Sequence, residues 1–381
     1  MGDPPYVRLS AFYLFYFAVL GALVPYWGPY LKHLGFGAAE IGELTAMLMA
    51  TRIVAPLIVG WVSDRTGKRM LLVQLSCWLA AATFVGVLLG NEYGWLAWVT
   101  ALFSFFWAAA LAPFEAVTLN HLGRDTPRYG LIRLWGSLGF IVSVVVLGWA
   151  LERHTESLLP PLCLGMFCAL AASSVLIPRC PSRPQRQKPP PIGRVLLRAQ
   201  VVAVLLTSLL MQASHGPYYT FFSIYLEGYG YAKTWIGPLW ALGVVAEIGA
   251  FLLMPRLLSR FKPRSLLLVA LGVATARWLL IAGFAGNLPV LLLAQTFHAA
   301  SYAVFHAVVI QYIHRDFTGP NQDRGQALYS SICYGLGAAV GSLVAGYAWA
   351  AIGPESTYAA CALLPAIGLL IAYRWIGRTA E

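Results

Sequence analysis

The chain has 381 residues, 59% of them hydrophobic and only 11% charged, with a net charge of +11. A soluble domain carries about a quarter charged residues, so a water-soluble fold is excluded and an integral membrane protein is expected. The positive charges sit in short loops between apolar runs, which points to membrane topology and away from nucleic acid.

Twelve apolar runs follow one another: 9–31, 41–62, 70–89, 95–119, 132–150, 158–177, 195–226, 235–254, 265–284, 288–313, 327–351 and 357–375. Each is long enough for a membrane-spanning helix. The first is too long for the apolar core of a cleavable signal peptide and reads as a span. The seventh is expected to begin with an interfacial turn. Between the sixth and seventh lies a Pro-rich basic stretch, 179–194, which reads as an extended linker. The expected class is an all-α membrane protein with twelve transmembrane helices in two six-helix pseudo-repeats. The expected domains are bundles 1–178 and 195–381, joined by the cytoplasmic linker 179–194.

Orientation follows from Lys and Arg. With the N-terminus inside, 20 of the 26 basic residues fall on the cytoplasmic side. The opposite loops hold only Lys32, Arg153 and Lys233, and Arg52, Arg133 and Arg277 fall inside or at the edge of spans. The expected location is the cell (inner) membrane, multi-pass, with both termini cytoplasmic. The six cysteines are scattered and form no Cys-x-x-Cys pair, so neither a metal site nor a disulfide framework is expected. No phosphate-cradling loop motif is present, so no nucleotide or other cofactor is expected.

Sliding the chain by 195 residues superposes its halves. Tyr30-Leu31 meets Tyr225-Leu226, Gly35 meets Gly230, and Ile41-Gly42 meets Ile236-Gly237. Arg65 and Arg69 meet Arg260 and Arg264, while Asp64 meets Ser259. Asp64 lies in Gly60-Trp61-Val62-Ser63-Asp64-Arg65-Thr66-Gly67-Lys68-Arg69-Met70, a polar, basic turn between two apolar runs. The shift makes Asp64 a one-sided feature, expected to act as a latch on the cytoplasmic face; ordering of the turn is the plainer reading.

Ionisable side chains inside spans are costly and mark pathways. Arg52, Glu115, Arg133, Glu247 and Arg277 are such residues, with His215, His298 and His306. Three Arg against two Glu leave one cation free, which suits an anionic substrate; Arg forks match carboxylates. Arg52 and Glu247 are equivalent under the repeat. Gln295, His298, Tyr302 and His306 share one broad helix face, and Trp240 precedes Glu247 by seven residues on the same face. An aromatic-lined pocket with a free Arg would suit an aromatic carboxylate. Structural ion pairs and packing histidines are the competing readings.

The turn at Gly60–Met70 matches the loop signature G-x-x-x-D-R-x-G-[RK]-[RK] of the major facilitator superfamily. The chain resembles its proton-coupled branch of lactose permease, nucleoside–proton symporters and phenylpropionate permeases. Similarity to the phenylpropionate permease group rests on Val24-Pro25-Tyr26-Trp27, Ala50-Thr51-Arg52-Ile53-Val54-Ala55-Pro56 and Tyr129-Gly130-x-x-Arg133-Leu134-Trp135-Gly136. The resemblance implies that Glu115 and Arg133, 18 residues apart, contact substrate, and that Glu247 and Arg277 serve binding and proton coupling. On the tenth span, His298 lacks the acidic partner three residues on that lactose permease carries, so the proton carboxylate is expected elsewhere.

The expected function is a proton-coupled symporter of a small organic substrate, such as a phenylpropionate-like acid. The alternatives are an exporter on the same fold and, remotely, a membrane sensor or membrane-embedded enzyme. Expected substrate contacts are Arg52, Glu115, Arg133, Trp240, Arg277 and His298. Expected proton-coupling residues are Glu115, Glu247, His298 and His306. Gly60, Asp64, Arg65, Gly67 and Arg69 are expected to form a conformational gate. Partners are substrate, protons and the bilayer, and one chain holds both halves, so a monomer suffices.

Overall fold

The computed structural model describes residues 5–123, 125, 128–178 and 192–377. Of the linker predicted at 179–194, residues 179–191 lie outside the described residues, as does the side chain of Asp64.

Twelve helices are long and apolar enough to cross a membrane. They are α1 (Tyr6–His33), α2 (Ala38–Thr66), α3 (Arg69–Leu88), α4 (Tyr93–Leu122), α5 (Tyr129–Arg153), α6 (Glu156–Val175), α7 (Ala199–Gly228), α8 (Lys233–Arg260), α9 (Pro263–Phe284), α10 (Leu288–Asp316), α11 (Gln322–Ile352) and α12 (Pro354–Trp375). Helices are the natural outcome, since hydrocarbon leaves each backbone group to be satisfied within its own segment. A short turn at Gly193–Leu196 precedes α7, in line with the expected interfacial turn. α11 starts at Gln322, ahead of the predicted 327, because Asp323 and other polar residues form its first turn outside the apolar run. Arg133, expected to open α5, stands one turn inside it.

The repeat is visible in the backbone. Gly35 ends α1 at φ +94° and Gly230 ends α7 at φ +81°. In the first copy Gly35 N–H donates to Lys32 and Phe36 N–H to Leu31; in the second Gly230 donates to Glu227 and Tyr231 to Leu226. The two helices end in the same hydrogen-bonded turn, in a left-handed conformation that glycine reaches without penalty.

The chain divides into two compact units, and two helices contribute to both. Unit 1 comprises residues 1–36, 47–186 and 232–238; unit 2 comprises 37–46, 187–231 and 239–381. In unit 1, α1 lies against α5 so closely that a Cβ on Gly21 would stand 2.6 Å from the Phe140 carbonyl oxygen. A core of Phe84, Phe103, Trp107 and Phe167 lies between α3, α4 and α6, with Phe84 and Phe167 4.9 Å apart. The start of α8 joins this unit, where Lys233 Nζ meets Glu156 at 2.9 Å and its backbone N–H donates to Glu152 at 2.6 Å. In unit 2, α7 meets α11 where a Cβ on Gly216 would strike the backbone of Gly341. Gly216 is the repeat equivalent of Gly21, so both units use a glycine at the corresponding crossing. Gln200 ties α7 to α10, donating to Asp316 at 2.8 Å.

Candidate functional site

In unit 1 the ionisable residues predicted from the sequence come together around one tyrosine. Tyr16 of α1 is within electrostatic reach of Arg52, Glu115 and Arg133 alike. These come from α2, α4 and α5. Arg52 points its guanidinium toward Trp107, 5.8 Å from the ring centre, and the Tyr16 ring packs at a tilt against the same Trp107 at 5.3 Å. Arg133 lays its guanidinium over Phe17 at 3.9 Å and reaches Tyr13 at 5.5 Å. Gly136, one turn on, leaves room for Arg133 and Phe17, since a Cβ there would stand 2.8 Å from Arg133 Nη1. Tyr129 donates its hydroxyl to Glu115 at 3.4 Å. Among the described residues, neither Arg52 nor Arg133 has a carboxylate at salt-bridge distance. Both are half-buried. Unit 1 thus offers two cations on an aromatic floor of Tyr13, Tyr16, Phe17 and Trp107, with a carboxylate nearby.

Unit 2 is organised around Tyr218 of α7, a residue the sequence did not single out. Its ring meets Trp240 at 4.3 Å and His298 at 6.0 Å, and its hydroxyl donates to Gln295 Oε1 at 3.1 Å. Arg277 is fully buried. Its Nε donates to the Ala294 carbonyl at 3.1 Å and one Nη to Gln295 at 3.2 Å, while the rings of Tyr218 and Trp278 lie 4.4 and 4.5 Å from the guanidinium. Trp240 is buried too, with its indole N–H donated to Ser223 at 3.0 Å. Arg277 and Trp240 are therefore both buried and held by partners within the unit. Half-buried Glu247 and buried His298 form a pair, 3.7 Å apart.

His215 breaks α7 between Ser214 and Gly216. Its Nδ1 lies 2.8 Å from the Met211 carbonyl, which only accepts, so that nitrogen carries a proton. It is a packing histidine. On α10 a π-helical stretch, Ala299–Val304, separates His298 from His306. Rings spaced by four residues on an α-helix drift about 40° per step. Here the wider turn takes up the drift, and His298, Tyr302 and His306 stack in one column at 5.3 and 6.4 Å. A side-chain face was legible in the sequence; the π turn that aligns it was not. Tyr16, Tyr218, Tyr329 and Tyr334 escaped sequence reasoning because tyrosines also populate interface belts. Their placement within spans is the signal that sets them apart.

The Gly60–Met70 turn has Gly67 at φ +66° after the last turn of α2, and Arg65 lies over Trp61 at 3.9 Å. Among the described residues no group of three or more His, Cys, Asp or Glu side chains is placed to hold a metal ion.

Comparison with known proteins agrees with this architecture. The "Probable 3-phenylpropionic acid transporter" of Escherichia coli (strain K12) is 28% identical over 350 residues, covering 91% of each chain. The maltose permease of Geobacillus stearothermophilus is 28% identical over 349 residues, covering 89% of this chain and 87% of its own. A crystal structure of a mutant nucleoside transporter NupG superposes with a TM-score of 0.87 at 15% identity, covering 97% and 98% of the two chains. A bacterial homolog of the human lysosomal transporter Spinster, in an inward-facing and unoccupied conformation, gives 0.74 at 13% identity over 98% of each chain. At such identities the structures speak for the fold alone. The family model described as "MFS_1 like family" matches residues 6–360, and with nearly the whole chain matched, this protein belongs to that family of major facilitator secondary transporters.

Proposed function

We propose that the protein is a proton-coupled symporter of a small aromatic carboxylate, such as a phenylpropionate-like acid, working by alternating access as a monomer in the inner membrane with both termini cytoplasmic. The observation that carries this reading is Arg133. Its guanidinium rests on Phe17 and Tyr13, half-buried and without a carboxylate at salt-bridge distance among the described residues. A half-buried fork beside aromatic faces suits a ligand with a carboxylate at one end and a ring at the other. Arg52 near Trp107 supplies a second cation. The 3-phenylpropionic acid named for the Escherichia coli relative is a molecule of this kind.

In this reading Arg52, Glu115 and Arg133 of the bundle 1–178 and Trp240, Arg277 and His298 of the bundle 195–381 are the substrate residues. Tyr218, against which Trp240, Arg277 and His298 all pack, ties the last three together. Glu115, Glu247, His298 and His306 are the proton-coupling residues. The segment 179–194 links the bundles. Gly60, Asp64, Arg65, Gly67 and Arg69 form the conformational latch.

The test is uptake of labelled 3-phenylpropionate into membrane vesicles under an imposed inward proton gradient. Accumulation that disappears when the gradient is collapsed is expected. Uptake indifferent to the gradient would sink the coupling, and no uptake of any aryl acid would sink the substrate class.

A further inference from the structure

Two irregular turns in unit 2 converge on one imidazole. The first is the π-helical stretch of α10, which brings Tyr302 under His306. The second is a π-helical stretch of α11, Ser331–Gly337. It begins between Tyr329 and Tyr334. Residues five apart on a regular α-helix point about 140° away from each other. Here both hydroxyls reach the same atom: His306 Nδ1 stands 3.0 Å from Tyr329 and 2.9 Å from Tyr334, and the two hydroxyls are 3.3 Å apart. Such stretches cost regular hydrogen bonding and are frequent at functional sites.

A hydroxyl both donates and accepts, and it changes role by rotating one bond. When Nδ1 is bare, one tyrosine donates to it and accepts from the other. When Nδ1 carries a proton, it donates to a tyrosine oxygen and the hydroxyl chain reverses. The cage therefore satisfies Nδ1 with or without its proton, with the heavy atoms fixed. At His215, by contrast, the single Met211 carbonyl fixes the proton on Nδ1 and offers no alternative.

We propose that His306, held by Tyr329 and Tyr334, is the station from which the co-transported proton leaves toward the Asp316 end of α10. This rests on the proton coupling proposed above and assigns its exit group. His298, paired with Glu247 at 3.7 Å, lies two turns away, about 12 Å along the helix, with the Tyr302 ring stacked between the two imidazoles. Titratable groups facing His306 among the described residues include Tyr302 on its own helix and Tyr329 and Tyr334 on α11, with Cys333 beside Tyr329. α8 presents uncharged Phe251, at 6.4 Å, one turn after Glu247. In the step itself imidazolium loses one proton to water on that side and becomes neutral imidazole; only N–H and O–H bonds change.

Nitrogen-15 NMR of histidine-labelled protein tests the site without a substrate. The resonance lost in His306→Gln should pass from neutral to imidazolium between about pH 5 and 8; a ring in one state throughout overturns the proposal. In vesicles, His306→Gln should lose gradient-driven uptake of 3-phenylpropionate by at least about tenfold. Its exchange of internal for external substrate, which needs no net proton release, should be retained. Wild-type gradient-driven uptake in the variant, or equal loss of both activities, overturns the proposal. The double variant Tyr329→Phe/Tyr334→Phe keeps the imidazole and should move the pH midpoint of net uptake with exchange intact; an unmoved midpoint counts against the cage. A wild type showing no gradient-driven uptake counts against the proposed coupling, and the titration alone then decides whether His306 takes up a proton.

Discussion

Arg133 rests on Phe17 with its fork uncommitted to a carboxylate, whereas Arg277 spends its Nε and one Nη on Ala294 and Gln295 between two rings. The same side chain should therefore fail in two ways. Arg133→Gln is expected to weaken aryl-acid binding by about 1.5–3 kcal/mol, the loss of a charge-assisted hydrogen bond, while leaving the melting temperature of purified protein near wild type. Arg277→Lys should lower stability by about 1–3 kcal/mol, because a point charge cannot replace the planar fork and leaves buried acceptors short of donors. Thermal unfolding with and without ligand separates the two outcomes. The sequence could place both arginines in spans, since charge in hydrocarbon is costly enough to be conspicuous. It could not tell them apart, because the partners of Arg277 sit on another helix and one of them is a backbone carbonyl.

At the scale of the helix, apolar run length located all twelve spans, and the polar turn at 322–326 explains why α11 extends past its apolar part. The π stretches of α10 and α11 could not be read from apolar run length. The break of α7 at His215 has a local cause in Gly216-Pro217, because proline brings no N–H to the helix ladder. The glycine crossings give a direct check. At Gly216 even one added carbon meets the backbone of Gly341, which cannot rotate away. Gly216→Val should force α7 and α11 apart at a cost of about 1–3 kcal/mol, seen as a lowered melting temperature. Gly165, around which an added Cβ meets nothing within 4 Å, should accept the same change with little effect.

At the scale of the whole chain, the bias of basic residues yields a labelling experiment. Cysteines placed at Lys32 and Lys233 in a cysteine-free background should react with an impermeant maleimide in spheroplasts. Cysteines at Lys68 and Lys262 should react only after permeabilisation. The reverse pattern would invert the proposed orientation. The repeat was legible from loop residues such as Gly35 and Gly230, whose left-handed turns the structure repeats in both copies. What the shift of 195 residues could not convey is that α2 and α8 each contribute to both compact units.

Arg52 and Glu247 occupy one address in that duplicated plan. A dimer of two identical half-length chains would be obliged to put the same side chain at both addresses, two arginines or two glutamates. Joining the copies in one polypeptide removes that obligation. Each copy can then evolve its own charge, so one position can serve an anion in one half and a proton in the other. That division of labour is open to a fused pair and closed to a homodimer.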